Sequence, residues 1–316
     1  MKIVIPGGSG QVGTILARAF QSDGHEVVVL SRRASNTPWR TVVWDAETLG
    51  GWASEIDGAD VVINLAGRSV NCRYNAENRL EIMDSRVKST NVVGKAIETA
   101  AHPPKLWLQS STATIYCHRY DAPNDEITGI LGGNEPGAPD TWNFSIGVAK
   151  AWEDAANAFV LPNTRLVLMR SAMTMSPDRD GIFDTLLGLV RLGLGGTAGD
   201  GRQYISWIHD RDFIRALYWL IEHEEIAGPV NLSSPNPLPN REFMQKLRAA
   251  WGTKIGLPAM EWMIKLGAIF MRTESELVLK SRRVVPTRLL DSGFEFEFPD
   301  WDAAANDLCR RWREMK

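Results

Sequence analysis

Three glycines, Gly7, Gly10 and Gly13, stand in a G-x-x-G-x-x-G spacing directly behind the apolar run Ile3–Ile5, and Val12, Ile15, Leu16 and Phe20 follow at helical intervals. A strand, a tight glycine turn and a helix N-terminus in that order make a place for the pyrophosphate of a dinucleotide. Gly7 lets the chain turn sharply, Gly10 leaves backbone N–H groups open to the phosphates, and Gly13 lets the helix pack close to the strand. The spacing is one residue off the G-x-G-x-x-G form. Ser9, Gln11 and Val12 lie in the same turn and are expected cofactor contacts.

The next apolar run, His25-Glu-Val-Val-Val-Leu30, ends in Ser31-Arg32-Arg33. Sites for NAD(H) usually carry a carboxylate near this point to hold the ribose 2′-hydroxyl. Here no acid repels a 2′-phosphate, and a hydroxyl with two guanidiniums is present to hold one. NADP(H) is therefore the expected cofactor, with Ser31, Arg32 and Arg33 as its phosphate contacts. The alternative is that both arginines are solvated loop charges.

The elements that must position these groups alternate. Apolar runs predict strands near 2–6, 25–30, 41–44, 60–65, 105–110 and 165–170, and helical spacing predicts helices near 11–22, 47–55, 76–101 and 143–158. Such alternation makes an α/β, Rossmann-like doubly wound parallel sheet with ligands at the carboxyl ends of its strands. After Arg170 the pattern changes to a glycine-rich 193–201, a strand-like Tyr204–His209 and an apolar helix near 211–222. A proline-rich 229–239, helices near 240–251 and 259–270 and the aromatic Phe294-Glu-Phe-Glu-Phe298 follow. We expect residues 1–175, with 204–222 returning to them, to form the cofactor domain. Residues 176–203 and 223–316 should form a smaller substrate or lid domain.

Composition narrows the function classes. The chain has 316 residues, 44% hydrophobic and 23% charged, as in ordinary globular proteins. A formal charge of −3 and no basic stripe argue against a nucleic-acid partner. No apolar stretch reaches membrane-spanning length, and the short N-terminal run is no signal peptide, so a cytoplasmic location is expected. Cys72, Cys117 and Cys309 fit neither a disulfide framework nor a zinc site, and the five histidines are scattered, so no metal is expected.

Asp60-Val-Val-Ile-Asn-Leu-Ala-Gly67 resembles the fourth-strand motif of the short-chain dehydrogenase/reductase superfamily. Gln109-Ser-Ser-Thr-Ala-Thr-Ile-Tyr116 resembles its fifth-strand catalytic serine segment, with Thr112 in the serine position. Nearly the whole chain is similar to the NADP-binding "epimerase family" on the extended, sugar-nucleotide-epimerase-like side of that superfamily, a family also described as cell-division-inhibitor-like and of unassigned substrate. The likeness runs through Asn64-Leu-Ala-Gly67, Ile82-Met-Asp-Ser-Arg86, Ala151-Trp-Glu153, Gly199-Asp-Gly201, Trp207-Ile-His209 and Val285-Pro-Thr-Arg-Leu-Leu290. It implies further cofactor contacts at Asp45, Leu65, Ala66, Gly67 and Ser110, and a small-molecule substrate.

The superfamily's catalytic pair is Tyr-x-x-x-Lys, one helical turn apart so that both side chains share a face. The tyrosine exchanges a proton with substrate, and the lysine lowers its pKa and holds the nicotinamide ribose. Aligned on that motif, Ile146-Gly-Val-Ala-Lys150 keeps the lysine and puts an isoleucine, which cannot transfer a proton, in the tyrosine's place. Substitutes are sought after the fifth strand. Thr112 could donate a hydrogen bond to a substrate oxygen, while Tyr116 and His118 could carry a proton. With Lys150 as a ribose or catalytic contact, these are the expected catalytic candidates. The family's arginine for a substrate diphosphate is replaced by Ile205-Ser206, which argues for a more apolar substrate. Two functions stay open: an NADP(H)-dependent oxidoreductase or epimerase-like enzyme, and a non-catalytic NADP(H)-binding regulatory or sensor protein.

Overall fold

The computed structural model describes residues 1–264, 274 and 276–315. Its centre is a seven-stranded sheet, parallel at every pairing. The chain runs β1 (Lys2–Pro6), α1 (Gln11–Ser22), β2 (Glu26–Ser31), β3 (Arg40–Val43), β4 (Val61–Asn64), α2 (Ala76–Thr99), β5 (Leu106–Thr112), α3 (Asp140–Asn157) and β6 (Arg165–Ser171). It continues with β7 (Met173–Met175), α4 (Ile182–Arg191), β8 (Tyr204–Ile205), β9 (Trp207–His209), α5 (Asp210–Glu222), β10 (Gly228–Leu232), β11 (Leu238–Pro239) and α6 (Asn240–Trp251). Across the sheet the order is β10-β6-β5-β4-β1-β2-β3, which reverses direction beside β1 and puts the glycine turn at the crevice where doubly wound sheets bind ligands.

Strand residues alternate between two cores, as a period of two requires. Ile3, Ile5, Val29, Ile63, Leu108 and Met169 face one side, where Leu16 and Phe20 of α1 and Phe213, Leu217 and Leu220 of α5 cover them. Val4, Val28, Val62, Trp107 and Leu168 face the other, under Val92, Val93 and Ile97 of α2 and Ala156 of α3. Both faces are buried, so the strands read as unbroken apolar runs, as in other parallel sheets. A third core joins α4, α6 and the C-terminal helix Trp301–Glu314 through Phe183, Leu187, Phe243, Leu247, Trp301 and Trp312.

Two elements differ from expectation. The helix read near 47–55 is only a short 3-10 turn at Gly51–Glu55, because Gly50 and Gly51 break the pattern and the Asp45 carboxylate ties the Glu47 and Thr48 N–H groups into a local turn. The proline-rich stretch holds a full strand, β10, which pairs with β6 from Gly228↔Val167 to Leu232↔Ser171. Pro229 is tolerated because β10 is an edge strand and one side needs no donor. Of the helix read near 259–270, residues 261–264 are helical and 265–270 lie outside the described residues.

Candidate functional site

The glycine turn is built by crowding on one side and openness on the other. Gly7 has φ +75°, and a Cβ there would lie 2.6 Å from the Ala66 backbone where the chain leaves β4. A Cβ on Gly13 would lie 2.4 Å from the Gly8 Cα, so the first turn of α1 rests directly on the glycine turn. Gly10 is different. It caps α1 with no side-chain partner, and a Cβ there would meet only the Gly7 oxygen at 3.8 Å. The first turn of α1 holds no acidic residue, so its free N–H groups face open space with the favourable end of the helix dipole.

The other expected cofactor contacts converge here. Ser31 Oγ donates to Ser9 Oγ at 3.1 Å, linking the end of β2 to the turn, while Arg32 and Arg33 are exposed with no side-chain partner among the described residues. Leu65, Ala66 and Gly67 follow β4, braced by Asn64, whose Oδ1 accepts from the Ala66 N–H at 3.1 Å and whose Nδ2 donates to Gln109 at 2.9 Å. Gln11 Nε2 is buried without a partner, and Val12 packs against the first core. Ser110 lies near the end of β5. Asp45 is spent locally: its oxygens accept from the Glu47 and Thr48 N–H groups at 2.9 Å and from the Thr48 hydroxyl, which hold its carboxyl down at about 2. A helix N-terminus without a cap, a glycine where a side chain would intrude only on a ligand, and two unpaired guanidiniums suit a dinucleotide with a 2′-phosphate.

Beyond the end of β5 lies a cavity of about 120 Å³. Its walls come from four separate segments. Thr112 and Thr114 close β5, Phe144, Ser145, Val148, Ala149 and Trp152 form one stripe of α3, Tyr74, Ile82 and Arg86 come from α2 and the loop before it, and Glu276 and Arg282 arrive from the C-terminal part. A hydrogen-bond chain runs along one wall. The buried Tyr74 phenol lies beside Ser145, Ser145 Oγ donates to Glu276 Oε2 at 2.6 Å, and Glu276 Oε1 lies 3.5 Å from Arg282 Nη2. Burial pushes the Tyr74 phenol up to about 12. Thr112 Oγ1 accepts from the Thr114 N–H at 3.1 Å, which leaves its own proton available to the cavity.

The expected helix register is one residue away from the observed one. Ile146 and Lys150 do not line the cavity; Ser145 and Ala149 do. One residue on an α-helix is about 100° of rotation, enough to turn a side chain from one neighbour to another. Ile146 is buried against Gly132 and Gly133, and Lys150 Nζ donates to the Gly132 carbonyl at 2.6 Å, tying α3 to that loop. The cavity therefore faces Ser145 and Ala149, each one position before a residue aligned with the superfamily pair.

Tyr116 and His118 also stand outside the cavity lining. The Tyr116 hydroxyl donates to Asn231 Oδ1 and accepts from Arg170 Nη1, both at 3.0 Å, within a buried group where Arg170 pairs with Glu153 and Glu153 accepts from Ser111. Burial raises its pKa. His118 Nδ1 accepts from the Ser281 N–H at 2.8 Å, and burial, aided by Lys280, lowers its pKa. It fastens the C-terminal strap 276–285 to the sheet. His209 is equally engaged, between the Arg211 N–H at 3.2 Å and Asp307 at 3.1 Å. Tyr74, Arg86, Ser145, Glu276 and Arg282 escape a sequence reading. The signal that was present is the apolar stripe Phe144, Val148 and Trp152 on α3, whose spacing puts Ser145 and not Ile146 beside the cavity.

The chain is similar in sequence and fold to known proteins. A model of the NAD-dependent epimerase/dehydratase family matches residues 3–139, and a domain of unknown function, DUF1731, matches residues 261–308. The human epimerase family protein SDR39U1 is 31% identical over 313 residues, which cover 98% of this chain and 99% of that protein. The Bacillus subtilis epimerase family protein YfhF is 28% identical over 98% of both chains. The crystal structure of human SDR39U1 (isoform 2) with NADPH superposes with a TM-score of 0.85 at 30% identity, covering 98% of this chain and 99% of that one.

Proposed function

This chain belongs to the epimerase family of extended short-chain dehydrogenases/reductases, and on that premise we propose that it is an NADP(H)-dependent oxidoreductase or epimerase-like enzyme acting on a small organic substrate. The observation that carries the reading is the cavity at the carboxyl end of β5, lined by the Tyr74 phenol and the hydroxyls of Thr112, Thr114 and Ser145, beyond an open glycine turn. NADP(H), which the human relative binds, would supply hydride transfer at its nicotinamide ring.

The chain's own residues do the rest. The N–H groups of Ser9 and of the first turn of α1 would hold the pyrophosphate; Ser31, Arg32 and Arg33 would hold the 2′-phosphate. Leu65, Ala66, Gly67 and Ser110 border the cofactor's path. In the cavity Thr112 donates a hydrogen bond to the reacting oxygen of the substrate. Tyr74 exchanges a proton with that oxygen. In the oxidising direction the substrate hydroxyl proton passes to the Tyr74 oxygen, the Tyr74 proton to Ser145 Oγ and the Ser145 proton to the Glu276 carboxylate. Reduction runs the same path backward. Because Ser145 already spends its proton on Glu276, it is set to accept from the phenol. Arg282 steadies Glu276 in its ionised form.

A binding-only role draws on the isoleucine that stands in place of the superfamily's tyrosine. Incubating the protein with NADPH and a panel of small carbonyl compounds, and following cofactor oxidation, separates the two. Turnover that falls in Tyr74→Phe while NADPH affinity holds supports the enzyme. No oxidation with any compound would leave the binding-only role.

A further inference from the structure

Resting on the reading of this cavity as the substrate site, we propose that the substrate is a short-chain hydroxy or oxo carboxylate whose anionic end pairs with Arg86. The cavity is lined by two guanidiniums, Arg86 and Arg282, and by one carboxylate, Glu276. Arg282 and Glu276 compensate each other at 3.5 Å. Arg86 has no carboxylate partner among the described residues. Its Nη1 donates to the Ile82 carbonyl of its own helix at 3.0 Å, and the guanidinium stacks over the Trp152 ring at 4.9 Å. Its other N–H groups have no protein acceptor among the described residues.

Protein encloses this guanidinium closely enough that burial pushes its pKa down to about 10, so it remains a cation at neutral pH. An arginine cannot shed its charge as a buried lysine can, and a desolvated cation without a counter-charge is unfavourable. An anion that enters the cavity would supply the missing counter-charge. The indole fixes the plane of the fork and the Ile82 carbonyl occupies one corner, which leaves an edge for a planar carboxylate. Size and walls set the remainder of the substrate. About 120 Å³ bounded by Val70, Ile82, Phe144 and Val148 holds a short apolar chain. Tyr74 and Thr112 line the same cavity, so an acid that pairs with Arg86 brings a nearby hydroxyl or oxo group to them.

The test is calorimetric titration of the full chain, with and without NADP⁺, by butyrate and by butyramide, which match in size and differ in charge. Butyrate should bind about tenfold or more tightly than butyramide, and Arg86→Gln should remove that preference while leaving NADP⁺ affinity within about twofold. Arg86→Lys, which keeps the charge and loses the fork, should retain part of it. Equal binding of the two probes, or binding of neither, overturns the carboxylate on the unaltered protein, whatever the variants do. So does a parallel loss of NADP⁺ in Arg86→Gln, which would assign the guanidinium to the cofactor. The two readings fail separately. Turnover of uncharged carbonyl compounds without butyrate binding keeps the enzyme and drops the carboxylate. Butyrate binding without turnover of any oxo acid keeps the anion site and drops the reaction.

Discussion

The glycine turn and the cavity beyond β5 are opposite kinds of site. Residues 7–13 are contiguous, nearly free of side chains and open, so what they offer a ligand is backbone N–H groups and space. The cavity is assembled from residues as far apart as Tyr74 and Arg282, and three of its polar groups, Ser145, Glu276 and Arg282, are already engaged with one another. A local site depends on a spacing; an assembled one depends on the whole fold bringing distant segments together. The first is therefore broken by adding atoms and the second by removing them.

The largest expected effect comes from adding atoms at Gly10. Gly10→Val should abolish NADPH binding, measured by calorimetry, while thermal unfolding stays close to that of the unaltered protein, since the new Cβ meets only one oxygen at 3.8 Å. Gly13→Val should instead fail to fold, because its Cβ would overlap backbone at 2.4 Å. Normal NADPH binding by Gly10→Val would move the cofactor out of this turn.

Removing one oxygen from the cavity comes next. Tyr74→Phe should lower turnover by about 10²–10⁴-fold with NADPH affinity kept, as expected for a lost proton-transfer group. Ser145→Ala should follow in the same direction with a smaller loss. If Tyr74→Phe turns over normally, the hydrogen-bond chain is structural only.

Charge at the edge of the turn has a moderate effect. Arg32→Ala/Arg33→Ala should weaken NADPH by about tenfold or more and leave NADH nearly unchanged, since hydrogen bonds to charged groups are worth roughly 1.5–3 kcal/mol. Equal losses for the two cofactors would remove the 2′-phosphate from this place.

The smallest effect is expected at Lys150. Lys150→Met should cost about 1 kcal/mol of stability through the lost bond to Gly132 and leave NADPH affinity unchanged, read by denaturant unfolding and by titration. A clear loss of NADPH affinity would return this lysine to the ribose and shift the helix register back.

The same contrast explains what could be read from residues alone. The seven-stranded parallel sheet was legible for six of its strands, because buried parallel strands are unbroken apolar runs between helical patterns. The seventh was hidden by Pro229, which ordinarily argues against a strand and is allowed only by the edge position, a tertiary fact. Of the sites, the turn at Gly7–Gly13 was legible because phosphate binding there needs only consecutive residues. The cavity was not, since Glu276 and Tyr74 are 202 positions apart in the chain and nothing local in either marks the other. Tyr116 and His118 looked reactive in sequence because their chemistry is general. Their hydrogen bonds to Asn231, Arg170 and Ser281 show how a polar group near a site can also hold neighbouring segments together.

The strap 276–285 joins the rest through Lys280 Nζ to the Thr114 carbonyl at 2.9 Å, Arg282 Nε to Thr114 Oγ1 at 3.1 Å and the Val285 N–H to the Asn124 carbonyl at 3.0 Å. Two of these three bonds end on Thr114, which itself lines the cavity, so strap and strand share one clasp: whatever loosens the strap is transmitted to the cavity wall through that single threonine.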